Sequence, residues 1–110
     1  EVKVVVDNND NALYFSREPI PSKKKFTGKI NAYKQVCIIT FKRNTLLTYL
    51  DLSPTPLEII ESVDMNRFLE HGIGVKLVRS NFSSFAVDTK KDLEFVEKAM
   101  KDDNLVKSYF

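Results

Sequence analysis

Apolar residues fall in short runs separated by turn signals. Val2 to Val6, rich in valine with a single lysine, predicts a β-strand. Asp7-Asn8-Asn9-Asp10-Asn11 is a dense turn signal, and Ala12-Leu13-Tyr14-Phe15 predicts a second strand, so the two form a hairpin. Ser16 to Gly28 holds two prolines and three consecutive lysines and reads as a long loop. Ala32 to Phe41 is the most strand-like run. It ends in the nearly continuous Val36-Cys37-Ile38-Ile39-Thr40-Phe41, as in a strand covered on both faces. Arg43 to Leu50 fits a short helix. After Ser53-Pro54, Thr55 suits an N-cap, Pro56 the first helical position and Glu58 the acid of a capping box. That helix is expected to run to about His71 and stop at Gly72. Val75 to Val78 and Phe85 to Val87 predict two more strands. Thr89 with Asp92 then caps a helix whose apolar stripe is Leu93, Val96 and Met100, and a last short helix carries Leu105 and Val106.

The order β-β-β-α-α-β-β-α, with both hairpin and crossover connections, predicts an α/β chain with a mixed sheet. The strands are few for a full doubly wound sheet, which suggests part of a larger fold. The chain opens on Glu1-Val2-Lys3 without an initiator methionine, so it is expected to begin inside a longer protein. Composition adds little: 43% hydrophobic and 29% charged residues suit an ordinary soluble domain. A net charge of +2 gives no argument for a nucleic-acid partner, and Lys23-Lys24-Lys25 reads as a solvated loop. The single cysteine, Cys37, allows no internal disulfide, suits a reducing compartment, and is expected as a small buried hydrophobe. No apolar stretch approaches the roughly 20 residues that span a bilayer. A cytoplasmic protein with no membrane partner is expected.

Three blocks carry a family resemblance. Ala12-Leu13-Tyr14-Phe15-Ser16-Arg17 is followed by Pro19-Ile20-Pro21. Pro56-Leu57-Glu58 is followed by Glu61, Asp64, Arg67, Leu69 and Gly72. Val87-Asp88-Thr89 is followed by Asp92-Leu93 and Val96. In this order and spacing they resemble the CMP-KDO synthetases, cytidylyltransferases that activate 3-deoxy-2-ulosonic acids. The resemblance implies the C-terminal part of a Rossmann-like nucleotidyltransferase α/β fold. Residues 1–110 would be its sugar-binding and dimerisation part, with the nucleotide-binding half absent. It also implies CTP and a sugar acid as partners, Mg²⁺ as cofactor, and a homodimer built partly from Lys24 to Leu50. The three glycines do not form the family's phosphate loop, so the 110-residue piece alone is expected to be inactive.

The resemblance assigns roles to particular residues, each with an ordinary alternative. Asp88 matches the family's metal ligand, although it could simply cap the following helix. Arg17 matches the proposed clamp on the sugar carboxylate, a contact that suits a guanidinium's paired donors; the alternative is an exposed loop arginine. Gln35 stands where the family has a histidine and could reach sugar hydroxyls, or be a strand-end polar residue. Asp64 lies at a substrate-binding position. Glu58, Glu61 and Asp64 recur every three residues, which predicts a drifting stripe on one helix, with Arg67 placed to neutralise Asp64. His71 is expected to serve a helix C-terminus. The match at Arg17 implies an acceptor that carries a carboxylate, while Gln35, Ile39 and Met65 replace more polar family residues, so that acceptor is not necessarily KDO. Two other readings remain open: a non-catalytic α/β interaction module, and a cytidylyltransferase with a non-sugar acceptor.

Overall fold

A computed structural model describes residues 1–109. The chain forms two compact units, Glu1–Arg79 and Ser80–Phe110. In the first unit, β1 (Lys3–Val6) and β2 (Ala12–Ser16) pair as the expected antiparallel hairpin, with Val4 opposite Phe15 and Lys3 opposite Ser16. The connecting turn is built by Asp7. Its carboxylate accepts the N–H groups of Asn9 and Asn11 at 2.8 and 2.9 Å and the Asn11 amide at 3.0 Å. Those donors, Asn11 first, hold the Asp7 carboxyl below its usual range. Asp10 takes a left-handed conformation at φ 60°, which aspartate tolerates better than most residues.

A third strand, β3 (Tyr33–Lys34), lies antiparallel on the other side of β1, giving the order β2-β1-β3. Every pairing is antiparallel, so the expected mixed sheet has no parallel pair among the described residues. The strand expected over residues 32–41 is reduced to these two residues. Val36 to Phe41 has no ladder partner, and Ile38 is 82% exposed. Cys37, expected to be buried, is exposed for the same reason. Residues 75–78 contribute only a bridge, with the Ala12 N–H on the Val75 carbonyl and the Leu77 N–H on that of Asp10. Residues 85–87 form no strand.

Helix α1 spans Arg43–Asp51. The expected helix from residue 56 to 71 is two helices, α2 (Pro56–Glu61) and α3 (Met65–Glu70). Ser62 breaks it with a left-handed φ of 53°. The break lets Val63, Met65 and Phe68 enter one core with Val4, Ala12 and Phe15; in a straight helix Val63 and Met65, two apart, would point to opposite faces. Phe68 also packs against the rings of Tyr49 and Phe41, at 5.0 and 6.0 Å between centroids. Gly72, at φ 72°, ends α3 as expected. Its N–H returns to the Leu69 carbonyl and that of Ile73 to Phe68.

The second unit holds α4 (Lys90–Lys101) and α5 (Asn104–Tyr109). The expected cap of α4 is present: Thr89 Oγ1 accepts the Asp92 N–H at 3.2 Å, and the Thr89 N–H donates to Asp92 at 2.9 Å. Phe85 meets Phe95 edge-on at 5.1 Å.

Candidate functional site

The register brings two of the expected site residues to one end of the sheet. Lys3 of β1 lies between Ser16 on one side and Lys34 on the other. One step further, the Gln35 N–H donates to the Val2 carbonyl at 2.8 Å, and Arg17 follows the last residue of β2.

Arg17 is exposed but held. Its N–H donates to Glu61 Oε2 at 2.8 Å, its Nε to the Glu61 carbonyl at 2.7 Å and its Nη2 to the Ser62 carbonyl at 2.8 Å. The left-handed turn at Ser62 exposes those carbonyls, the last of α2, and the guanidinium satisfies them. One edge of the guanidinium is thus spent on the protein, while the Nη1/Nη2 edge has no partner among the described residues. Asp64 lies two residues beyond Ser62, exposed at the start of α3, where its side chain makes no cap hydrogen bond. Arg17 and Gln35 thus each lie one residue beyond the strands that flank β1, and Asp64 lies two residues beyond the carbonyl that holds Arg17.

The three acids expected along one helix have separate duties. Glu58 pairs bidentately with Arg67, at 2.8 Å to Nε and 2.6 Å to Nη2, and also accepts the Thr55 N–H. The Arg67 hydrogen bonds hold Glu58 below its ordinary range, and Glu58 in turn raises Arg67. Arg67, expected to neutralise Asp64, serves Glu58 instead because the break at Ser62 folds α3 back beside the start of α2. Its guanidinium stacks on Tyr49 at 4.3 Å. Glu61 accepts three donors, two from β2 and one from the residue after it: the Tyr14 hydroxyl at 2.9 Å, the Ser16 hydroxyl at 2.7 Å and the Arg17 N–H. They lower its pKa, the Arg17 N–H contributing most. His71, expected at a helix end, is the cap residue of α3, and its ring lies 3.4 Å from the Ser53 carbonyl.

Two residues of this site escaped the sequence reading. Glu61 was legible only as one member of a charged stripe. The signal for its partners was the polar pair Tyr14 and Ser16 at alternate positions of β2, which must share a face. Asn66 is completely buried. Its Oδ1 accepts the Phe15 N–H at 3.3 Å and its Nδ2 donates to the Phe15 carbonyl at 3.0 Å. A lone amide between Met65 and Phe68 was the available sign. Met65 itself lies in the core.

Asp88 stands in the second unit, exposed, just before α4. The neighbouring Asp92 carboxylate accepts from the Thr89 N–H and hydroxyl and from the Asp88 N–H. Capping therefore falls to Thr89 and Asp92, and the Asp88 carboxylate has no hydrogen-bond partner among the described residues. No cluster of three or more histidine, cysteine, aspartate or glutamate side chains could hold a metal among those residues. Mg²⁺ is commonly held by one or two carboxylates plus water and phosphate oxygens, so a single uncommitted carboxylate fits one ligand of such a site. No helix among the described residues is long and apolar enough to cross a membrane.

A family model described as Cytidylyltransferase matches residues 1–77. The chain is 41% identical over 104 residues to a 3-deoxy-manno-octulosonate cytidylyltransferase from Fusobacterium nucleatum, covering 94% of this chain and 42% of that protein. It is 38% identical over 105 residues to the protein of the same name from Geobacter metallireducens, covering 86% of this chain and 41% of the relative. A solved structure of CMP:2-keto-3-deoxy-manno-octonic acid synthetase complexed with CTP superposes with a TM-score of 0.82. It is 35% identical over 91% of this chain and 41% of its own length. The chain thus spans about two fifths of the relatives it matches.

Proposed function

The chain belongs to the cytidylyltransferase family, and we propose that it is the C-terminal, sugar-binding and dimerisation part of a CMP-sugar-acid synthetase. The complete protein transfers CMP from CTP to a 3-deoxy-manno-octulosonate-type acid and releases pyrophosphate. The observation that carries this reading is a fold likeness with a TM-score of 0.82 to a CMP-sugar-acid synthetase. The anchored guanidinium of Arg17, with its Nε and Nη2 on the Glu61 and Ser62 carbonyls, supports it. In the reaction the anomeric hydroxyl attacks the α-phosphorus of CTP and gives up its proton to solvent, the new P–O bond forms, and the bond to the β,γ-diphosphate breaks, releasing pyrophosphate.

The residues of this chain act on the acceptor. The open Nη1/Nη2 edge of Arg17 receives the sugar carboxylate, a pairing that suits a planar donor fork. Gln35 and Asp64 reach the hydroxyls from either side. Asp88 is one ligand of a Mg²⁺ ion, which when bound supplies charge neutralisation on the phosphate oxygens. The nucleotide contacts lie outside residues 1–110. The exposed apolar Ile38, Leu46 and Leu50 support a homodimer built from the segment between Lys24 and Leu50. We place the protein in the cytoplasm, where CTP is available.

The test is pyrophosphate release by the complete protein with CTP, across a panel of ulosonic acids. Turnover that requires both CTP and a carboxylate-bearing acceptor is expected. No release with any sugar acid, or equal release with acceptors that lack a carboxylate, would overturn the proposal.

A further inference from the structure

We infer that Glu61 is a positioning residue for the acceptor: it fixes the guanidinium of Arg17 with one edge open to the sugar carboxylate. This rests on the reading of Arg17 as the carboxylate contact. Arg17 follows the last residue of β2 and is exposed, so nothing in its own surroundings restrains a long side chain with about 2 kcal/mol of rotamer freedom. The restraint comes from the end of α2, where the Glu61 and Ser62 carbonyls hold the guanidinium and the Glu61 carboxylate ties that turn to the Arg17 main chain and to β2. Glu61 receives the Arg17 N–H on its carboxylate and the Arg17 Nε on its carbonyl, at 2.8 and 2.7 Å, while Ser62 receives Nη2. Backbone and side chain of Arg17 are thus tied to the same residue.

Glu61 is itself pinned. The Tyr14 hydroxyl at 2.9 Å and the Ser16 hydroxyl at 2.7 Å both donate to its Oε1, leaving Oε2 for the Arg17 N–H. A carboxylate so satisfied has one orientation. The left-handed Ser62 then turns the terminal carbonyls of α2 toward the guanidinium. The Nε/Nη2 edge, which would otherwise compete for the acceptor in a second geometry, is occupied. Only the Nη1/Nη2 edge remains for a ligand. Ordering an arginine before the ligand arrives reduces the entropy lost on binding, which is the general basis of preorganisation.

The complete protein with Glu61→Gln, Arg17→Ala and the double substitution tests this by steady-state kinetics in both substrates. Glutamine keeps the size of the side chain but presents an amide N–H to one of the donors. Glu61→Gln is expected to raise KM for the sugar acid about two- to tenfold, the equivalent of ordering one rotamer-rich side chain. KM for CTP should stay within about twofold, a change worth less than ~0.5 kcal/mol by the affinity arithmetic. Arg17→Ala should raise the acceptor KM further, and adding Glu61→Gln to it should change nothing more. Glu61→Asp, which keeps the charge and shortens the reach, should show the same selective rise and stands in if the glutamine variant does not fold. An acceptor KM unmoved by either Glu61 variant, with Arg17→Ala still damaging, overturns the inference and leaves the Arg17 reading intact. A full Glu61 penalty on the Arg17→Ala background also overturns it, because Glu61 would then act through the fold. An acceptor KM unmoved by Arg17→Ala overturns both.

Discussion

Asn66→Ala is the substitution that most directly tests how the site is anchored. Asn66 has no exposed surface, and its amide forms two hydrogen bonds to the main chain of Phe15. It therefore serves the free edge of β2 as a neighbouring strand would, and joins α3 to the strand that leads into Arg17. Alanine removes both bonds and leaves the Phe15 N–H and carbonyl buried without partners. A stranded buried group costs ~1–3 kcal/mol, so two cost about 2–6. The N–H bond at 3.3 Å is long and forfeits less than the carbonyl bond at 3.0 Å, which moves the expectation to the lower half, about 2–4 kcal/mol. Asn66→Asp should cost at least as much near neutral pH, since one carboxylate oxygen would face the Phe15 carbonyl. Urea unfolding followed by circular dichroism measures the loss, with the denaturant slope unchanged if only stability shifts. A loss below about 0.5 kcal/mol for Asn66→Ala would place it with ordinary surface substitutions and refute the anchoring argument.

Stability should fall on acidification. Glu58 and Glu61 have folded-state pKa values lowered from 4.5, so their contribution is complete above that value and lost as pH falls through the folded ones. A urea midpoint level from about pH 7 to 5 and declining below is expected, with a shallower decline in Glu61→Gln; equal slopes would count against Glu61 as a source. Asp88→Asn should lower turnover of the complete protein at least about a hundredfold with its unfolding midpoint unchanged, because a metal's charge stabilisation is worth several kcal/mol; wild-type-like pyrophosphate release in Mg²⁺ would remove Asp88 from the metal site. Light scattering should give a dimer at tens of micromolar, weakened by Ile38→Lys, and a monomer throughout that range would remove the interface from the proposal.

What was legible in the sequence is what neighbouring residues decide. The turn at Asp7, the start of α2 at Thr55-Pro56 with the Glu58 acceptor, the cap of α4 by Thr89 and Asp92, and the stop at Gly72 all formed as expected. Each is a local competition between side chain and backbone, settled within four residues. Strands are different. The runs at 36–41, 75–78 and 85–87 have strand-like composition, yet a strand needs a partner, and composition does not say whether one is present. The break at Ser62 has the same origin. Nothing in Glu61-Ser62-Val63-Asp64 forbids a continuous helix; the gain from burying Val63 with Met65 and Phe68 decides it.

The site follows this division. Arg17, Gln35, Asp64 and Asp88 were proposed through resemblance, because their neighbours in sequence match a family pattern. Glu61 and Asn66 were missed because their partners are far away: Arg17 is 44 residues from Glu61 and Phe15 is 51 from Asn66. A chain read in order shows the donors on β2 and the acceptors on α2 as two unrelated polar sets. Spacing by three even suggested a wrong pairing, Arg67 with Asp64, because that rule assumes a helix that continues. Once the helix breaks, α3 lies back against α2 and β2, and every long-range bond around Arg17 becomes possible. The same left-handed residue that ends α2 thus frees Arg67 for Glu58 and turns two carbonyls toward Arg17. The placement of Arg17 is in this sense a consequence of how Val63, Met65 and Phe68 reach the core.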